Sequence, residues 1–143
     1  MMKVSVAVVF YNEEKVIEDL LASIESQFEN ANPEEFEFIF IDNNSTDQSF
    51  RFVKSWVENW SSRFKVQLIA RSQNSLSLAR TDALNKANGD WVAFIDADSQ
   101  IVEGWPRLVK KTLEGLPDDA AVVGGASSYT GEASWHDYAK SLA

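Results

Sequence analysis

The stretch Trp91-Val92-Ala93-Phe94-Ile95-Asp96-Ala97-Asp98 decides how the chain is read. An apolar run stops abruptly at two carboxylates one residue apart. A short run of valine, phenylalanine, isoleucine and tryptophan without polar alternation fits a strand covered on both faces, as in a parallel sheet. In open α/β sheets, ligands bind just outside the carboxyl ends of the strands. Asp96 and Asp98 held there form a hard-oxygen site suited to Mg²⁺ or Mn²⁺. Such an ion in turn recruits phosphate.

The segments on either side supply the rest of such a sheet. Residues 3–10 are rich in valine and read as a first strand, with Tyr11-Asn12-Glu13-Glu14 as the loop at its carboxyl end. A helix follows with Val16, Ile17, Leu20, Leu21, Ile24 and Phe28 on one stripe and Glu18, Asp19, Ser23 and Glu25 on the other. Glu13 and Glu14 are expected in its first turn, where the helix dipole favours negative charge. Residues 36–41 read as a second strand ending at Asp42. Residues 42–47 turn into a helix carrying Phe50, Val53, Val57 and Trp60, with Ser45 and Gln48 as a capping box. Residues 66–70 form a third strand, and 71–77 a polar loop. A helix over 77–88 packs through Ala79, Ala83 and Ala87 with Leu84, and Gly89 stops it.

Beyond Asp98, residues 99–104 are a loop. Residues 105–116 are a helix with Pro106 in its first turn and Leu108, Val109, Thr112, Leu113 and Leu116 as its stripe. A fifth strand is expected over 120–126 and a last helix over 133–142. This alternation with short connections predicts an α/β fold, a mostly parallel sheet flanked by helices. No internal boundary is evident, so residues 1–143 form a single domain. In such a sheet the ends of strands one, two and four share an edge. The loops at Tyr11, Asp42 and Asp96 therefore converge.

Composition narrows the function. The chain has 143 residues, 45% of them hydrophobic and 24% charged, in the ordinary range for a globular domain with one core. A net charge of −9 argues against non-specific nucleic-acid binding, which needs a basic face. It leaves room for a phosphorylated ligand, since a metal or a few placed cations neutralise phosphate locally. There is no cysteine, so disulfides and thiolate metal sites are excluded. The expected setting is cytoplasmic, free or at the inner face of the membrane. The single histidine, His136, rules out a multi-histidine centre within this chain. No stretch reaches the length of a membrane span. The apolar run at Val4 to Tyr11 is read as a strand and not as a signal peptide.

Each candidate site residue has an ordinary explanation when taken alone. Aspartate is common at strand ends because it makes turns, Ser45 serves as a helix cap, and Arg80 serves as a solvated cation. The combination is more specific. Val4 to Glu14, then Phe40-Ile41-Asp42-Asn43-Asn44-Ser45-Thr46-Asp47, then Ala79-Arg80, then Gly89 to Asp98 resembles the family-2 glycosyltransferases in order, spacing and residue type. The resemblance extends to about Ala126.

It implies a Rossmann-like GT-A fold that binds a nucleotide-diphospho-sugar and transfers the sugar to an acceptor with inversion. Phe10, Tyr11 and Glu13 match the loop that lies against the nucleoside. Asp42 matches the base-binding aspartate, although relatives often carry a second acid where this chain has Asn43. Arg80 matches a basic residue near the diphosphate. Asp96, with Ala97 beside it, matches the acid near ribose and metal, and Asp98 the principal metal ligand. The run Asp96 to Gln100 is also similar to the dolichol-phosphate mannose synthase branch, in which the glutamine assists the metal. The cofactor implied is Mn²⁺ or Mg²⁺, and the acceptor is a glycan, lipid or protein. In the family the catalytic base lies beyond Ala143. The chain is therefore expected to be truncated, lacking the C-terminal acceptor-binding half, with a surface left open to self-association.

Two other readings compete. One is a nucleotide-sugar-binding module without transferase activity. The other is a receiver-like domain with Asp42 as phosphoacceptor. The latter wants an acidic cluster after the first strand, which Glu13-Glu14 partly supply, and a lysine after the fifth, where Ala126-Ser127-Ser128-Tyr129 offers none.

Overall fold

The computed structural model describes residues 1–125. The elements are β1 (Val4–Phe10), α1 (Ile17–Phe28), β2 (Phe36–Asp42), α2 (Ser49–Trp60), β3 (Lys65–Ala70), α3 (Leu76–Lys86), β4 (Trp91–Phe94) and α4 (Trp105–Glu114). The strands form one parallel sheet in the order β3-β2-β1-β4. The chain steps outward from β1 to β3 and then returns to the far side of β1. That reversal makes the β1/β4 boundary a topological switch point, the kind of place where open α/β sheets bind ligands. A receiver sheet has β1 between β2 and β3. Here β3 pairs with β2 instead, which overturns the receiver-like reading.

Period-two alternation divides the sheet into two faces. Val4, Val6, Val8 and Phe10 of β1 and Phe36, Phe38 and Phe40 of β2 pack against α1, α2 and α4. The Phe28 ring at the end of α1 meets Phe38 edge-on at 4.9 Å and Phe36 at 5.1 Å. Trp56, Trp60 and Phe64 stack at 5.2 and 5.3 Å. These rings bury large apolar areas in favourable edge and stacked geometries. Trp56, Trp60, Trp91 and Trp105 all pack against this core. Trp135 and His136 lie outside the described residues. On the other face, Ala7, Ile39 and Ile41 meet Ala79 and Ala83 of α3. Small side chains on that helix bring its backbone close to the sheet.

Several expectations need correction. β4 ends at Phe94 and is an edge strand among the described residues; Phe94 is 40% exposed. The strands covered on both faces are β1 and β2, which have a neighbour on each side. An apolar run reads the same in either position. Gly89 does not stop α3. The helix ends at Lys86, and Ala87 is already extended at ψ 136°. A Cβ on Gly89 would lie 2.7 Å from the Ser5 nitrogen and 2.9 Å from the Lys3 carbonyl, so the glycine allows close backbone approach. Leu84 and Leu108 are more than half exposed. The alanines already seat α3, and α4 packs through Pro106, Val109, Leu113 and Leu116.

α1 begins at Ile17, so Glu13 and Glu14 precede its first turn. Residues 120–125 form no strand, and Val122 is 88% exposed. A strand persists only where a neighbour takes its backbone hydrogen bonds, and none of the described segments pairs with these residues. Position 126 and the helix expected over 133–142 fall outside the described residues. Among the described residues, no helix is long and apolar enough to cross a membrane.

Candidate functional site at the carboxyl edge

The loops after β1 and β2 are tied together by Asn12. Its backbone sits at φ +50°, a left-handed conformation that asparagine tolerates better than most residues. From there its carboxamide oxygen accepts the N–H groups of Thr46 at 2.7 Å and Asp47 at 3.2 Å. Its own N–H donates to Ser45 Oγ at 3.0 Å. Ser45 is thereby committed to the neighbouring loop and caps no helix. α2 starts only at Ser49, with no side-chain cap from Gln48, so the expected capping box does not form. Glu13 N–H donates to the buried Ser49 hydroxyl at 2.7 Å, and Glu14 N–H to Asp47 at 3.1 Å. These bonds lock the Tyr11 loop onto the start of α2.

Asp42 ends β2 at the centre of this edge and is 5% exposed. Its carboxylate accepts the Ser45 N–H at 3.1 Å, and its carbonyl accepts the Arg71 N–H at 2.9 Å. Asn43 donates its N–H to the Phe10 carbonyl at 2.8 Å. Phe10 itself turns its ring into the core, so it offers the edge only main chain. Tyr11 is 44% exposed beside it. The half-buried Arg71 guanidinium pairs with Asp82, and its Nε is buried without a partner among the described residues.

The acidic segment leaves the sheet through Ile95, whose N–H donates to Ala7 at 2.9 Å. Ala97 and Ile101 are buried at 5% and 7% exposure, whereas Asp96, Asp98 and Gln100 point to solvent. α1 holds the far end. Ser23 Oγ accepts the Ile101 N–H at 2.9 Å, and Gln27 Oε1 accepts the Gly104 N–H at 3.0 Å. Serine and glutamine four residues apart lie on one helix face, so two side chains of α1 brace the segment after the carboxylates.

The electrostatics of the edge follow from this crowding. Burial, then the charges of Asp98 and Asp47, push the Glu13 carboxyl above its usual value. Burial also acts on Asp47, but hydrogen bonds from Ser49 and the Glu14 backbone outweigh it and hold that carboxyl below its usual value. The Asp96 and Asp98 carboxylates have no hydrogen-bond or ion-pair partner among the described residues. Their oxygens are free to bind a hard cation. No cluster of three or more carboxylate, histidine or cysteine ligands exists among the described residues. A cation here would take two protein oxygens and fill its remaining positions from water or phosphate, as Mg²⁺ commonly does. Arg80 is exposed on the second turn of α3, without an ion pair among the described residues.

Sequence reading missed Asn12, Arg71 and Ser23, and marked Asn43 only as a departure from relatives, without its bonds to residues 74 and 75. A cation directly after a strand at the ligand edge signals Arg71. Asparagine in a short loop hints at Asn12. Nothing near Ser23 in sequence points to residues 101–104. Two clefts of about 350 and 400 Å³ lie elsewhere, the first between α1 and α2 around Trp56, the second beside α4 around Lys110. Both are set against helices and apart from the acidic edge.

An open parallel sheet of this order, with carboxylates gathered at its carboxyl edge, is the architecture of nucleotide-binding α/β proteins. Within that class the chain belongs to glycosyl transferase family 2, whose pattern it matches across residues 5–141. It is 36% identical over 101 residues to the poly(ribitol-phosphate) β-N-acetylglucosaminyltransferase TarS of Staphylococcus aureus, covering 71% of this chain and 17% of that protein. The structure of S. aureus TarS 1–349 in complex with UDP-GlcNAc superposes with a TM-score of 0.65 at 32% identity, covering 79% of this chain and 30% of the other. The mannosyltransferase PcManGT of Pyrobaculum calidifontis, in complex with GDP-Man and Mn²⁺, gives 0.65 at 28% identity, covering 72% and 29%. These neighbours bear out the GT-A expectation for the fold. The chain spans less than a fifth of the length of the TarS protein it matches.

Proposed function

We propose that the chain is the donor-binding part of a metal-assisted, inverting glycosyltransferase. The observation that carries this reading is that the Tyr11, Asp42 and Asp96 loops follow the neighbouring strands β1, β2 and β4 on one carboxyl edge, the edge where such sheets take nucleotides. Support also comes from the neighbours in complex with UDP-GlcNAc and with GDP-Man and Mn²⁺.

In this reading Asp42 accepts a hydrogen bond from the base, and Tyr11 covers the nucleoside from the β1 side. Asp96 and Asp98, assisted by Gln100, would hold Mn²⁺ or Mg²⁺, which would neutralise the diphosphate charge. The metal supplies positive charge where the departing nucleotide gains negative charge. Arg80 adds a cation on the α3 side of the diphosphate. An acceptor hydroxyl attacks the sugar from the opposite face, and a carboxylate takes its proton. No described residue is assigned as that base. The acceptor is a glycan, lipid or protein.

Calorimetric titration with uridine and guanosine diphosphates, with Mn²⁺ and then with chelator, tests the reading. One nucleotide should bind, more tightly with metal. Asp98→Ala should abolish the metal-dependent increment, and Asp42→Ala should weaken binding even in chelator. No binding of either nucleotide would sink the reading. Binding of a donor sugar nucleotide with neither transfer nor hydrolysis would favour a binding module.

A further inference from the structure

We propose that Asn43 is a positioning residue for the nucleoside pocket: its carboxamide fixes residues 71–75 as the wall on the β3 side of Asp42. This rests on the reading of Asp42 as the base contact. β2 lies between β1 and β3, so Asp42 opens between the loop after β1 and the connection after β3. On the β1 side, Asn43 N–H reaches the Phe10 carbonyl. On the β3 side, Ser75 N–H donates to Asn43 Oδ1 at 2.8 Å, and Asn43 Nδ2 donates to Asn74 Oδ1 at 3.2 Å. The Ser75 hydroxyl in turn accepts the Leu78 N–H at 3.4 Å as the N-cap of α3. One side chain thus sets both the connection and the start of the helix that carries Arg80.

The orientation of the carboxamide is determined. A backbone N–H can only donate, so Ser75 must face the oxygen, and the NH₂ is left for Asn74. Asn43 is 3% exposed, where leaving either group unpaired is costly. Its carboxamide is committed to the connection, so it acts on the base through that wall. The wall presents the exposed side chains Ser72 and Gln73, polar groups able to discriminate base edges. A carboxylate at this position would keep the acceptor for Ser75, lose the donor to Asn74, and add a second negative charge beside Asp42.

The test is metal-free titration of the full chain and of Asn43→Ala and Asn74→Ala with uridine and guanosine diphosphates, alongside hydrogen exchange of residues 71–76. Asn43→Ala should bind the preferred nucleotide about tenfold more weakly. The affinity ratio between the two nucleotides should narrow, and exchange in 71–76 should rise. Asn74 is exposed, so Asn74→Ala should shift both in the same direction by a smaller factor, with an unchanged urea midpoint. It decides the matter if Asn43→Ala fails to fold. Parental affinities in both variants, or weaker binding with an unchanged ratio, would overturn the role of Asn43 and leave the donor-site reading standing. A parent chain that binds neither nucleotide would overturn both.

Discussion

The carboxamide oxygen of Asn12 accepts the backbone N–H of Thr46 at 2.7 Å, from a backbone held at φ +50°. Backbone conformation and hydrogen bonding support one another there. Asn12→Ala loses the bonds and strains the backbone; Asn12→Gly loses only the bonds. Alanine should cost about 2 kcal/mol of stability and glycine about 1. Urea unfolding of both variants checks the order. Equal midpoints for the two would refute the strain.

Ser23 and Gln27 brace the segment that follows Asp98, although they lie far from it in sequence. Ser23→Ala should lower the metal-dependent gain in nucleotide affinity about tenfold and leave affinity in chelator unchanged, a loss worth about one neutral hydrogen bond. An unchanged metal dependence would mean that Ala97 and Ile101 alone hold the segment.

Glu37 is fully buried in β2, at the end of the sheet away from the site. Ser5 Oγ donates to it at 2.7 Å and Asn88 N–H at 2.6 Å, with Lys3 and Lys65 nearby. Burial pushes its carboxyl up, but these hydrogen bonds and the Lys3 charge outweigh it and leave it below the usual value. A lowered folded-state pKa contributes stability that is complete above the unfolded value of about 4.3 and lost as pH falls through the folded value. Glu37→Gln should cost about 2–4 kcal/mol at pH 7. It should also flatten the loss of stability below about pH 4.3. Urea midpoints at neutral and acid pH read both effects, and a variant with the parent's acid dependence would contradict the assignment.

Gly89 lies so close to β1 that an added methyl meets backbone. Gly89→Ala should destabilise by about 2–3 kcal/mol through overpacking. Thermal unfolding measures it, and a melting temperature equal to the parent's would show that the 88–90 turn moves aside freely.

The buried stripe of α1 (Ile17, Leu20, Leu21, Ile24 and Phe28) and the aspartates at the strand ends were legible in the sequence, because periodicity and abrupt polarity changes are local signals. The partners of Ser45 were not. Its helix-cap pattern was present, but the Asn12 N–H from another loop claimed its hydroxyl first. The same holds for Gly89, whose role comes from Ser5, 84 residues away in sequence.

By itself the sequence determined the α/β alternation through α4, the buried stripe of α1 and the placing of the Tyr11, Asp42 and Asp96 loops on one edge. These follow from side-chain polarity repeating with the period of each element. Only the tertiary structure decided that β4 is an edge, that the chain reverses between β1 and β4, and that Asn12, Asn43 and Ser23 hold the edge together. Those depend on which distant backbone groups come within about 3 Å of each other, and no local pattern encodes such pairings.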